Sequence, residues 1–100
     1  MLSIDELRKS ILPVVNEFNI NKIIIFGSYA RGEQTQTSDI DIIIDSGGRL
    51  KGLAFFGLVR KISNALPVPV DVFELSEVNN PSPTYTAIME DGVVIYESTR

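Results

Sequence analysis

Two aspartates one residue apart, Asp39 and Asp41, open a run that continues as Ile42-Ile43-Ile44-Asp45. The run is rich in β-branched residues and short enough to be a strand. Side chains on a strand alternate faces, so both acids point one way while Ile40, Ile42 and Ile44 point into a core. Like charges that close repel unless a cation lies between them. A hard divalent cation is the natural filler, because Mg²⁺ is held by one or two carboxylates plus substrate phosphates. Upstream, the pair Gly27-Ser28 leaves another apolar run, Ile23-Ile24-Ile25-Phe26, and opens a short helix at Tyr29-Ala30-Arg31. Free N–H groups at a helix start bind phosphate. Each pair has a plainer reading when taken alone. Gly-Ser after a strand is a turn and a cap, and an alternating acid pair is a solvated strand face. In this order and this close, they point to an anion cradle and a metal clamp in one segment.

Composition narrows the chemistry further. The chain has no Cys and no His, which removes thiolate nucleophiles, disulfides, Cys-based zinc sites and the commonest general base. What remains is carboxylate, hydroxyl, Lys and Arg chemistry, with a metal held by oxygen. The net charge of −4 argues against a basic stripe for a nucleic-acid backbone and so against a direct DNA or RNA acceptor. At 100 residues, 44% of them apolar, the chain is expected to be one domain, 1–100, with a real core. No apolar run reaches the roughly eighteen residues of a membrane span. The start, Met1-Leu2-Ser3-Ile4-Asp5-Glu6, does not read as a signal peptide, so a cytoplasmic location is expected.

The elements that must position these residues follow from periodicity. Ser3 and Glu6 read as a capping box. Ile4, Leu7, Ile11, Val14 or Val15, and Phe18 then recur at helical spacing, over about four turns. Pro13 falls inside this helix and is expected to kink it or split off its first half. Ile23–Phe26 is the first strand, and the acid-pair run is the second. Ser46-Gly47-Gly48 breaks that strand, and the segment 47–52 is expected to be a mobile loop at the rim of the site. Leu50 to Leu66 reads as a helix weakened by Gly52 and Gly57, which cost roughly 1 kcal/mol each relative to Ala. Pro67-Val68-Pro69 ends it and leads into a third strand, Val70-Asp71-Val72-Phe73-Glu74. Asp71 is an acid in an apolar strand and should face a cation, a partner or water. A surface position at a strand end is the plainer reading. Thr84 to Asp91 reads as a short helix ending at Gly92, followed by a last strand, Val93–Tyr96. The fold expected is α/β, a small mixed sheet with helices packed on one side, in which the first, acid-pair and Asp71 strands are neighbours.

The stretch GSYARGEQTQTSDIDIII resembles the signature G-S-x-A-R-G-x(5)-S-D-x-D of the nucleotidyltransferase superfamily that includes DNA polymerase β. Gly27, Ser28, Ala30, Arg31, Gly32, Ser38, Asp39 and Asp41 all match. Within that superfamily the chain is most similar to the minimal nucleotidyltransferases, antitoxin-like proteins paired with HEPN-domain partners.

The resemblance implies transfer of a nucleoside monophosphate, AMP from ATP, to a hydroxyl, with pyrophosphate leaving. It implies that Gly27 and Ser28 hold the β- and γ-phosphates and that Asp39 and Asp41 bind Mg²⁺. The superfamily places a third carboxylate on a strand beside the paired acids. Asp71 fits that place, to complete a second metal position and help deprotonate the acceptor. Glu74 is a lesser candidate. Arg31 either reaches a phosphate or braces the turn through an ion pair, and Ser38 caps or orients the acid loop beside the nucleotide. The expected partner is a HEPN-type toxin in a hetero-complex, modified on a hydroxyl such as that of Tyr. Segments 47–52 and 81–85 are the expected docking rim. Two alternatives stay open: a binding module that neutralises its partner without catalysis, and a transferase whose small-molecule or polynucleotide acceptor is held by another chain.

Overall fold

Ser3 opens the first helix as expected. Its hydroxyl accepts from the Glu6 N–H, and the Glu6 carboxylate accepts from the Ser3 N–H, both at 3.1 Å. Two of the N–H groups that a helix start leaves without partners are thereby satisfied. In the computed structural model, which describes residues 3–33 and 39–98, this helix α1 spans Ile4–Val15. It runs through Pro13 but is shorter than expected. The proline removes one ladder donor in the last turn, and the chain leaves the helix two residues later. Phe18 then sits in a turn, its N–H on the Val15 carbonyl, yet still packs on the core.

The remaining elements are β1 (Lys22–Phe26), α2 (Ser28–Arg31), β2 (Ile40–Asp45), α3 (Gly52–Ala65), β3 (Val70–Glu74), α4 (Pro83–Asp91) and β4 (Val93–Glu97). A single 3-10 turn, Leu75–Glu77, follows β3. The four strands form one mixed sheet in the order β3-β2-β1-β4. β1 is antiparallel to both β2 and β4, whereas β2 and β3 run parallel. The parallel pair is joined through α3, the crossover that such a pair requires.

Period-two alternation decides what each face of the sheet carries. Ile23 and Ile25 of β1 join Ile40, Ile42 and Ile44 of β2 in the main core, against Leu7, Ile11 and Val15 of α1 and Leu58 and Ile62 of α3. Ile24 and Ile43 point the other way and meet Ile88 of α4 in a smaller cluster. The two long helices thus lie on one side, as expected, and α4 adds a smaller cover on the other. Gly92, just after α4, keeps a β conformation rather than a left-handed one. It is small for a different reason: a Cβ there would fall inside contact distance of the Ile88 carbonyl and the Ile24 side chain.

Candidate active site

The antiparallel register of β1 on β2 sets Phe26 opposite Asp41. The residue that follows Phe26 is therefore delivered to the acid strand. That residue, Gly27, has φ 78° and ψ −150°, a conformation that essentially only glycine adopts. A Cβ built on it would overlap the Asp41 Oδ2. Gly27 is thus required twice, by its backbone and by the carboxylate lying against its Cα. Ser28 begins α2 directly afterwards, so the cradle residues and Asp41 adjoin.

The parallel register sets Asp41 opposite Asp71. Paired residues on neighbouring strands share a face, about 5 Å apart. Asp39 is exposed just ahead of β2. Burial pushes the Asp41 carboxyl above its usual range; the charges of Asp71 and then Asp39 push the same way, and Arg31 opposes them. Asp71 and Asp39 are therefore both close enough to act on Asp41. Among the described residues, however, no three acidic groups stand converged on a point that would hold an ion.

Arg31 forms an ion pair with Glu33 at 2.6 Å. The Glu33 hydrogen bond and charge raise its pKa first, followed by Asp91 and Asp41. This pair is the bracing contact expected of Arg31. Asp91, at the end of α4, is a neighbour that sequence reasoning missed, because nothing in the motif links it to α2. Ser38 lies outside the described residues.

Glu74 does not belong with these acids. It is register partner to Ile44 and so shares the core side with Val70 and Val72. Its carboxylate is buried, 5% exposed, and accepts from the Ser46 N–H at 3.2 Å, the Ser46 hydroxyl at 2.9 Å and the Gly48 N–H at 3.3 Å. The alternation Val70-x-Val72-x-Glu74 was the available signal that it faces inward. Its contacts also tie down the 47–52 loop. The Ser46 hydroxyl accepts from the Leu50 N–H, and Arg49 reaches the Asn19 carbonyl and the Asn21 side chain. A loop expected to be mobile is therefore anchored at three of its residues, Gly48, Arg49 and Leu50.

A 390 Å³ cavity lies alongside β3, walled by Leu50 and Phe55 on one side and by Phe73 and Val78 on the other. Phe73 also meets Phe26 edge-on, with ring centroids 6.3 Å apart. No helix among the described residues is long and apolar enough to cross a membrane.

Residues 9–100 match the family described as Polymerase beta, Nucleotidyltransferase. A candidate protein adenylyltransferase of Methanocaldococcus jannaschii is 40% identical over 75 residues, 75% of this chain and 76% of that protein. The protein adenylyltransferase MntA of Shewanella oneidensis is 40% identical over 53 residues, 53% of this chain and 38% of that protein. Among solved structures, a toxin–antitoxin crystal structure with AMP-PNP superposes with TM-score 0.77 at 24% identity, covering 92% of this chain and 74% of that one. A tri-AMPylated HEPN toxin of Shewanella oneidensis in complex with MNT antitoxin gives TM-score 0.72 at 21% identity, covering 95% and 73%. At these identities the structural likeness is one of fold. The family match rests on sequence and spans nearly the whole chain, so the chain belongs to the polymerase beta nucleotidyltransferase family.

Proposed function

We propose that this chain transfers AMP from ATP to a hydroxyl of a partner protein, and that the partner is a HEPN-type toxin which the modification silences. The observation that carries the reading is the double register of Asp41, with Asp71 beside it on β3 and Gly27 against it from β1. Relatives named as protein adenylyltransferases supply the reaction class. A fold neighbour that pairs an antitoxin with an AMPylated HEPN toxin supplies the partner class.

The donor set suits Mg²⁺, since Asp39, Asp41 and Asp71 offer only carboxylate oxygens and lack a matching cluster of positive side chains. Asp39 and Asp41 would hold the first ion, and Asp71 would complete a second position. Held there, Mg²⁺ would supply positive charge against the negative charge that develops in the transition state. The parallel register already sets the Asp41 and Asp71 Cα atoms side by side, and Asp39 precedes Asp41 by two residues. The chain's own residues do the rest. Gly27 and Ser28 hold the β- and γ-phosphates through backbone N–H groups and the Ser28 hydroxyl, while Arg31 adds positive charge at the cradle rim. Asp71 accepts the proton of the acceptor hydroxyl, whose oxygen bonds to the α-phosphorus. The bond from the α-phosphorus to the bridging oxygen breaks, and pyrophosphate leaves with that electron pair.

The test is mass spectrometry of a HEPN-type partner incubated with the chain, ATP and Mg²⁺. An AMP adduct is expected with the native chain and not with Asp41→Asn. A partner that is never modified, yet is neutralised equally well by Asp41→Asn, would mean that the chain works by occlusion.

A further inference from the structure

We infer that the acceptor is presented as an extended segment that adds to the outer edge of β3, with its hydroxyl residue on the Asp71 face and its two neighbours in the apolar slot. The inference rests on the transferase reading above and specifies how that site takes its protein substrate. Three observations carry it.

First, Asp71 is on the outermost strand. The carboxylate assigned to the acceptor's proton therefore lies beside a strand position that the described residues leave open. A segment added there lies about 5 Å from β3, the spacing of any neighbouring strand, so a Ser, Thr or Tyr opposite Asp71 or Phe73 shares their face.

Second, the edge has backbone groups to offer. The Ile40 N–H bonds the Pro69 carbonyl at 3.0 Å. With the parallel register, this turns the backbone groups of Asp71 and Phe73 toward β2 and those of Val70, Val72 and Glu74 outward. The edge carries no Lys or Pro between Val70 and Glu74, two of the residues that blunt an exposed strand.

Third, the slot straddles this same edge. Leu50, packed on the main core, and Phe55 of α3 wall it on one side and Phe73 and Val78 on the other, with Lys51 and Glu77 also in the lining. Phe73 remains 45% exposed despite its contact with Phe26. In an added strand, the residues on either side of the hydroxyl residue point to the core side, where Val72, Leu50 and Phe55 meet them. A hydroxyl residue between two apolar ones therefore matches both walls, with strand addition supplying affinity and the slot supplying choice.

The test uses the whole chain and a decapeptide with Tyr at its centre and Leu on both sides. A matched decapeptide is N-methylated at the Tyr and its two neighbours, so it keeps every side chain and loses the edge bonds. Amide exchange without ATP is expected to slow by about tenfold at Val72 and Glu74 with the first peptide and not with the second. With ATP and Mg²⁺, AMP transfer is expected to fall by about tenfold for the methylated peptide. It should fall similarly for Val72→Pro, which removes an outward N–H together with the Val72 side chain. Should Val72→Pro fail to fold, the two peptides on the native chain decide alone. Equal modification of both peptides, or unchanged exchange at Val72 and Glu74 on binding, overturns the docking mode. If only an intact HEPN-type partner is modified, exchange at the same two amides in that complex decides: slowing supports edge addition, and no change overturns it. Slowed exchange with no AMP transfer to any peptide or partner overturns the transferase reading and leaves the docking mode standing.

Discussion

The strands β2 and β3 carry acids on both faces, and the two faces treat them in opposite ways. On the core face, Glu74 is buried and surrounded by donors: the Ser46 N–H and hydroxyl, the Gly48 N–H, and the Ser76 hydroxyl at 3.4 Å. On the other face, Asp41 is pushed above its usual pKa by burial and by two more carboxylates, with Arg31 as the opposing charge. A buried carboxylate with its lone pairs filled holds a structure together. A group of acids left to repel one another stores a demand that a ligand can meet. Both acids lie in apolar strands, so residue type does not distinguish them; the set of donors around each does.

The contrast breaks most visibly at Asp41→Asn. Nucleotidyl transfer should fall by about a hundred- to a thousandfold, while the fold, read by circular dichroism, persists. Equal activity in the variant would remove Asp41 from the site. At Glu74 the outcome should invert. Glu74→Ala leaves the Ser46 and Gly48 donors without their acceptor inside the protein. It should cost about 3 kcal/mol of stability, a drop of roughly 10–20 °C in Tm for a chain this size. A Tm within error of the native value would show that water replaces the carboxylate.

Gly27→Ala tests the seam between cradle and acid. Its left-handed φ and the overlap with Asp41 should together cost about 1–3 kcal/mol. Transfer should fall further than that loss of stability explains, because Asp41 is displaced. Urea titration and turnover measured on one sample separate the two effects.

The smallest effect concerns pH. Asp41 has a folded-state pKa raised above the ordinary aspartate value of 3.8. Its contribution to stability is therefore fully present below that value and is lost as pH rises through the folded pKa. At pH 7 the ionised group weighs against the fold, so Asp41→Asn should melt slightly above the native chain without Mg²⁺. The gap should close as pH falls toward 3.8, and Mg²⁺ with ATP should reverse the order. Melting curves across that range that stay parallel would contradict the placement of Asp41 among repelling acids.

Much of this was legible in the residues. The spacing from Gly27 to Asp41 announces a strand-turn-strand unit, and an antiparallel register is what turns that spacing into contact. Asp71 was found through an acid in an apolar strand, and the parallel pairing puts it opposite Asp41. Other features needed three dimensions. The side on which α4 packs depends on Ile88 meeting Ile24 and Ile43, and a nine-residue helix with one buried position has too weak a stripe to declare a face. The inward turn of Glu74 follows from strand parity, but its partners Ser46 and Gly48 lie far back in the chain. The end of α1 at Val15 depended on how soon the helix gives way after Pro13, which periodicity alone does not say.

The parallel joining of β2 to β3 through α3 also sets an order of events along the chain. Gly27, Ser28, Asp39 and Asp41 all hang on one local hairpin, whose contacts close a short loop and form early. Asp71 joins them only across the α3 crossover, on an edge strand held from one side, and edge segments open at lower free energy than a sheet's centre. Under the proposed transferase roles, gentle destabilisation should therefore separate nucleotide capture from transfer. In those roles, nucleotide capture by the hairpin residues should outlast transfer to an acceptor, which needs Asp71 on an edge strand.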